Sequence, residues 1–145
     1  MNPRRLVRHP ELPVLYVATA SQVIAFDITD GTLVSLCGPD GGAAPPCATA
    51  PVPGSNPVDM KFLRNSDGRW LLYVVERGGG NNPDTLTRVV AYELRDDGGL
   101  PSQPSSQVQT TNALSYQGAA FTQEYAFVAD ARQSNIPRFP LRADG

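Results

Sequence analysis

Phe26-Asp27-Ile28-Thr29-Asp30-Gly31 is a phrase that this chain repeats: an aromatic, any residue, Ile or Leu, then polar residues closing on Asp-Gly. Tyr92-Glu93-Leu94-Arg95-Asp96-Asp97-Gly98 and Phe139-Pro140-Leu141-Arg142-Ala143-Asp144-Gly145 are the other copies. Upstream of each lies a matching apolar run: Leu15-Tyr16-Val17-Ala18, Leu72-Tyr73-Val74-Val75 and Ala126-Phe127-Val128-Ala129. Tyr16 and Tyr73 are 57 positions apart, and Tyr73 and Phe127 are 54 apart. Self-similarity at such a period marks stacked supersecondary units, none of which can bury its apolar face alone.

The apolar runs are short, rich in β-branched and aromatic residues, and bounded by Gly, Pro, Asn and Asp, which reads as strands. Val90, Tyr92 and Leu94 fall on one face of a strand, while Ile24, Phe26 and Ile28 alternate less cleanly. Asp30-Gly31 and Asp97-Gly98 are turn signals, because Asp and Gly tolerate a positive φ. No helical period is sustained; the closest candidate, Leu63 to Val74, is interrupted by Asn65-Ser66-Asp67-Gly68. The expected strands are 4–8, 13–19, 22–28 and 32–36; then 57–63, 70–76, 87–95 and 105–110; then 116–121, 124–130 and 136–141. Pro-rich connections at 39–57 and 101–106 separate the units.

Four-stranded antiparallel units in series predict an all-β chain of β-propeller blades. The blades are blade 1 about 4–37, blade 2 about 56–110 and an incomplete blade 3 about 116–145. Leu15-Tyr16-Val17-Ala18, followed by Val23 to Ile28 and Asp30-Gly31, resembles the Tyr-Val-Thr-Asn repeat of lactonase-like seven-bladed propellers. Asn56-Pro57-Val58-Asp59-Met60-Lys61-Phe62, followed by Asp67-Gly68-Arg69-Trp70-Leu71-Leu72-Tyr73-Val74, does so too. In that family a Pro-containing inner strand leads through an Asp-Gly turn to a Tyr-Val strand, and His9-Pro10-Glu11-Leu12-Pro13 occupies that place in the first unit. The resemblance covers nearly the whole chain as blade grammar. Rings close with about four to eight blades, and closure protects their strand edges. Two full blades and three strands of another therefore imply an incomplete ring, to be completed by blades of a longer parent chain or by copies of this one. The chain's abrupt start and finish favour the first.

Composition narrows the function classes. With 12 basic and 14 acidic residues the formal charge is −2, and the basic residues are scattered arginines with Lys61 the only lysine. That is no footprint for nucleic acid. No stretch approaches the ~18 apolar residues of a membrane helix. Arg8, His9, Pro10 and Glu11 interrupt what would otherwise imitate a signal peptide.

Cys37 and Cys47 flank a segment with almost nothing to bury, Gly38 to Pro46. Two cysteines closing a small loop point to a disulfide and a periplasmic or extracellular setting. Such a closure would contribute about 2.5–3 kcal/mol in the chain-entropy picture. Free thiols in a cytosolic protein are the alternative. Two thiols with His9 as the only histidine do not make a metal site. The single carboxylate of the Gly38–Gly42 stretch falls short of the ligands calcium needs, and no cofactor motif occurs.

The resemblance implies lactone hydrolysis in a central channel. That chemistry needs a general base, together with a cation that stabilises charge developing on oxygen. Asp59, Asp130, Asn56 and Gln117 are the candidates at the channel mouth, although no family catalytic motif transfers to them residue by residue. No Gly-x-Ser-x-Gly elbow accompanies His9, which reads as a strand-end turn residue. The competing class is a binding scaffold for an unidentified protein or small molecule, since loops on a rigid frame carry function. The polar tip Gly78, Gly79, Gly80, Asn81, Asn82 and the Cys37–Cys47 loop are its candidate loops. Trp70 is expected in the core, as aromatics on strands usually are.

Overall fold

In the computed structural model, residues 3–19, 22–36, 48–49, 55–78, 87–101, 104–109, 116–130 and 136–141 are described. They form twelve strands and no helix. The first sheet holds β1 (Arg5–Arg8), β2 (Val14–Ala18), β3 (Val23–Asp27), β4 (Val34–Ser35) and β5 (Ala48–Thr49). The second holds β6 (Ser55–Arg64), β7 (Trp70–Gly78), β8 (Arg88–Glu93) and β9 (Ser106–Gln109). The third holds β10 (Tyr116–Phe121), β11 (Tyr125–Asp130) and β12 (Arg138–Pro140). All pairings are antiparallel between chain neighbours, except that β5 returns to β3. These are meandering blade-like sheets, and the described residues do not close a ring.

Period-two alternation decides what each sheet buries. On one face of the second sheet, Met60, Leu72, Val74, Val90 and Tyr92 pack against Val14, Tyr16, Ala18, Val23 and Ala25 of the first. On its other face, Leu63, Leu71, Tyr73, Val75, Val89 and Ala91 pack against Ala126, Val128 and Phe139 of the third. The second sheet is thus covered on both sides, which explains why 71–75 reads as an unbroken apolar run rather than an alternating one. Tyr125 and Phe127 lie on the far face of the third sheet, half-buried, with their rings 6.2 Å apart.

One turn is used three times. Gly31, Gly68 and Gly98 have φ of 73°, 79° and 81°, and each donates its N–H to the carbonyl three residues back, in Ile28, Asn65 and Arg95. Side chains brace these turns: Asp27 Oδ1 accepts from the Thr29 N–H, Asn65 Oδ1 from the Asp67 and Arg69 N–H groups, and Asp97 Oδ1 from the Gly99 N–H. The Asp-Gly signal therefore marks both kinds of turn at one end of the meander, β3–β4 and β8–β9 as well as β6–β7.

Two features are absent from the sequence reading. The 39–57 connection contains β5, whose Ala48 and Thr49 pair with Ile24 and Val23. The inner strands β6 and β10 are each bulged at the same register: Val58 is extra opposite Glu76 and Val75, and Gln117 opposite Asp130 and Ala129. A bulge bends a strand and re-aims its side chains.

Candidate functional site at the junction of the first two sheets

The most elaborate side-chain cluster lies where the β1–β2 turn of the first sheet meets the β6–β7 and β8–β9 turns of the second. It begins with His9. The His9 side chain is 3% exposed, and its Nδ1 accepts from the N–H groups of Glu11 at 3.1 Å and Leu12 at 2.9 Å. Those bonds require a bare Nδ1, so the neutral ring carries its proton on Nε2. Burial holds its pKa below the usual histidine range; Glu11 opposes that effect and Arg64 adds to it. His9 is therefore the turn residue that the sequence suggests, and it shapes the turn through its ring.

Rings of both sheets meet around it. Phe62 stands edge-on to His9 and to Tyr16, each at 5.3 Å between centroids, and Trp70 is 5.7 Å from His9 and 6.2 Å from Phe62. Trp70 is half-buried rather than enclosed, as it opens β7 at the end of the sheet. Its Nε1–H donates to Glu11 Oε2 at 2.9 Å. The Arg64 guanidinium lies 4.5 Å above the indole and pairs with the other Glu11 oxygen. The Trp70 bond, followed by Arg64, holds the Glu11 carboxyl below the ordinary glutamate range.

Two clefts flank Trp70. One, about 300 Å³, is lined by His9, Glu11, Arg69, Trp70, Arg95 and Asp96 among others. Its charges are balanced, since Arg69 pairs with Glu93 and Arg95 with Asp97. The other, about 380 Å³, is lined by Val7, Arg8, Pro10, Met60, Lys61, Phe62 and Trp70. Its floor is apolar and aromatic, and no carboxylate is among its lining residues.

The sequence-derived candidates are not gathered here. Asp59 sits on β6 five residues from the β6–β7 turn, about 17 Å along the strand. Its Oδ1 accepts from the Met60 N–H at 2.9 Å and meets Arg5 Nε of the neighbouring inner strand at 3.1 Å. Asn56 pairs in register with Arg77, Asp130 with Tyr116, and Gln117 occupies the β10 bulge. Gly78 ends β7, while Gly79, Gly80, Asn81, Asn82, Cys37 and Cys47 lie outside the described residues. Among the described residues, no three His, Cys, Asp or Glu side chains converge on a metal position, and no helix is long and apolar enough to cross a membrane.

Sequence reasoning missed the Glu11–Trp70–Arg64 cluster. The two ends of the Glu11–Trp70 bond are 59 residues apart, and only the face-to-face stacking of the sheets joins them. Comparison of the chain with protein-family models, with curated proteins and with solved structures finds no match.

Proposed function

We propose that this chain is a binding scaffold, a propeller segment of the lactonase-like kind that presents a ligand site at the junction of its first two sheets. The observation that most supports this reading is the state of the polar groups. His9 Nδ1 is committed to two backbone N–H groups, and Glu11, Glu93 and Asp97 are each held by an arginine. A general base needs a lone pair free to take a proton at the reacting atom. Groups held in this way preorganise a surface instead, with a half-buried tryptophan at its centre.

Lactone hydrolysis is the second reading, and the Arg5–Asp59 pair is the observation in its favour. A guanidinium there lies beside a carboxylate, and in this second reading a bound substrate would displace Arg5 from Asp59, leaving a base and a cation at the ring to be opened. An assay of the purified chain against five- and six-membered lactones, with Asp59→Asn alongside, separates the two. The scaffold reading expects no turnover above the uncatalysed rate from either protein. Turnover that disappears in Asp59→Asn would overturn it.

In this proposal the ring is completed by blades of a longer parent chain or by further copies of this one. The same proposal joins Cys37 to Cys47 as a disulfide in a periplasmic or extracellular setting, so it expects the unfolded, unreduced protein to titrate no free thiol.

A further inference from the structure

Three arginines around the junction are paired, Arg64 with Glu11, Arg69 with Glu93 and Arg95 with Asp97, and farther along the strands Arg5 is paired with Asp59. Arg8 and Lys61 are the exceptions. Both are exposed, both line the 380 Å³ cleft, and among the described residues neither has a carboxylate within ion-pair reach. Two positive charges, without a carboxylate partner among the described residues, therefore border a cleft whose other lining residues are Val7, Pro10, Met60, Phe62 and Trp70. The neighbouring 300 Å³ cleft has carboxylates of its own, Glu11 and Asp96, beside its arginines.

We propose that the 380 Å³ cleft binds a planar organic anion, an aromatic or conjugated carboxylate of about two rings. The inference rests on the reading of this junction as a binding surface and names the ligand class. The volume is within the range of small-molecule pockets, about 300–1,000 Å³. Phe62 and Trp70, both half-buried, offer ring faces and edges to a flat body, and the buried Met60 adds to the apolar wall beneath them. Arg8 and Lys61 select for negative charge. A neutral molecule of the same shape keeps the apolar contacts and forgoes the electrostatic ones, so charge should decide affinity while shape decides fit.

The test is isothermal titration calorimetry of the full chain with 2-naphthoate and with its neutral counterpart 2-naphthamide, at low and high salt. Arg8 and Lys61 are exposed, and solvent weakens such charge pairs, so the carboxylate should bind only about fivefold tighter than the amide at low salt. That advantage should shrink at high salt, where exposed charges are screened. Arg8→Gln/Lys61→Gln removes the two exposed charges and should bring naphthoate affinity down to that of the amide measured on the same variant. Equal binding of acid and amide by the natural chain would overturn the proposal. So would naphthoate binding unaffected by the double substitution, or no naphthoate binding by protein whose near-ultraviolet circular dichroism shows fixed aromatics. Lactone turnover would overturn the scaffold reading and leave this ligand assignment standing, so the two failures are distinguishable.

Discussion

The Tyr16 hydroxyl donates to the carbonyl oxygen of Gly98, joining a strand of the first sheet to the β8–β9 turn of the second across 82 residues. Tyr16 is fully buried, and Gly98 holds its carbonyl there from a left-handed conformation, φ 81°. A Cβ at Gly98 would come within 2.9 Å of Val14 Cγ2, 3.2 Å of Leu12 Cδ1 and 3.3 Å of the Tyr16 oxygen. The recurring Asp-Gly turn thus does two jobs at this copy: it reverses the chain and it seats one sheet on the next.

Comparing glycines separates those jobs. Gly31 has a similar φ of 73°, but a Cβ there would meet nothing within 4 Å. Gly31→Ala should cost only the left-handed backbone, about 1–2 kcal/mol. Gly98→Ala adds overpacking of about 1–3 kcal/mol, so its denaturant midpoint should fall clearly below that of Gly31→Ala.

Tyr16→Phe leaves the Gly98 carbonyl buried without its donor and should cost about 1–3 kcal/mol in urea unfolding. Burial, with a smaller contribution from Asp97, raises the Tyr16 pKa. The unfolded tyrosine ionises near pH 10. Above that pH the unfolded chain binds fewer protons than the folded one, so stability falls as pH rises. The natural protein should lose stability above about pH 10, and Tyr16→Phe should lose less over the same interval.

His9 gives a pH dependence of the opposite sense. Its folded pKa lies below the ordinary value of 6.5, so below that pH the unfolded chain takes up the proton first and stability falls with acidification. A drop in urea midpoint should begin near pH 6.5, above the range where Glu11, Asp27 and Asp97 titrate. His9→Gln should remove that upper part of the drop, while the later carboxylate part remains. An unchanged profile would show that His9 is not held neutral by the turn.

Leu71 and Leu72 are adjacent, yet they face opposite neighbours. Leu→Ala at either site should cost about 2–5 kcal/mol. Amide shifts should move around Val14, Tyr16 and Val23 for Leu72→Ala, and around Ala126, Val128 and Phe139 for Leu71→Ala. Overlapping shift patterns would contradict the sandwiching of the second sheet.

Much of this architecture is legible in the sequence. Local signals carry it: the alternation of Val90, Tyr92 and Leu94 places all three against the first sheet, as a strand period requires. The Asp-Gly pairs mark left-handed turns because few other residues accept them. What the sequence hides depends on neighbours distant along the chain. Ala48 and Thr49 become a strand only because Ile24 and Val23 offer an edge. Trp70 leaves the core because it starts its strand at the sheet's end. Asp59 stands out as a lone carboxylate among apolar residues, but its partner Arg5 comes from another sheet. The bulges at Val58 and Gln117 have only Pro57 and Gly118 beside them as a local hint, because the partner strand defines a bulge.

The packing of the first sheet on the second underlies the site, the ligand class and most of these effects. Nuclear Overhauser contacts of the Tyr16 ring test it most directly. Strong contacts to the Gly98 α-protons and to the Phe62 ring are expected, together with contacts between the His9 and Trp70 rings. Cross-strand contacts within each sheet but none between Tyr16 and either Gly98 or Phe62 would contradict the stacked arrangement and the site built upon it.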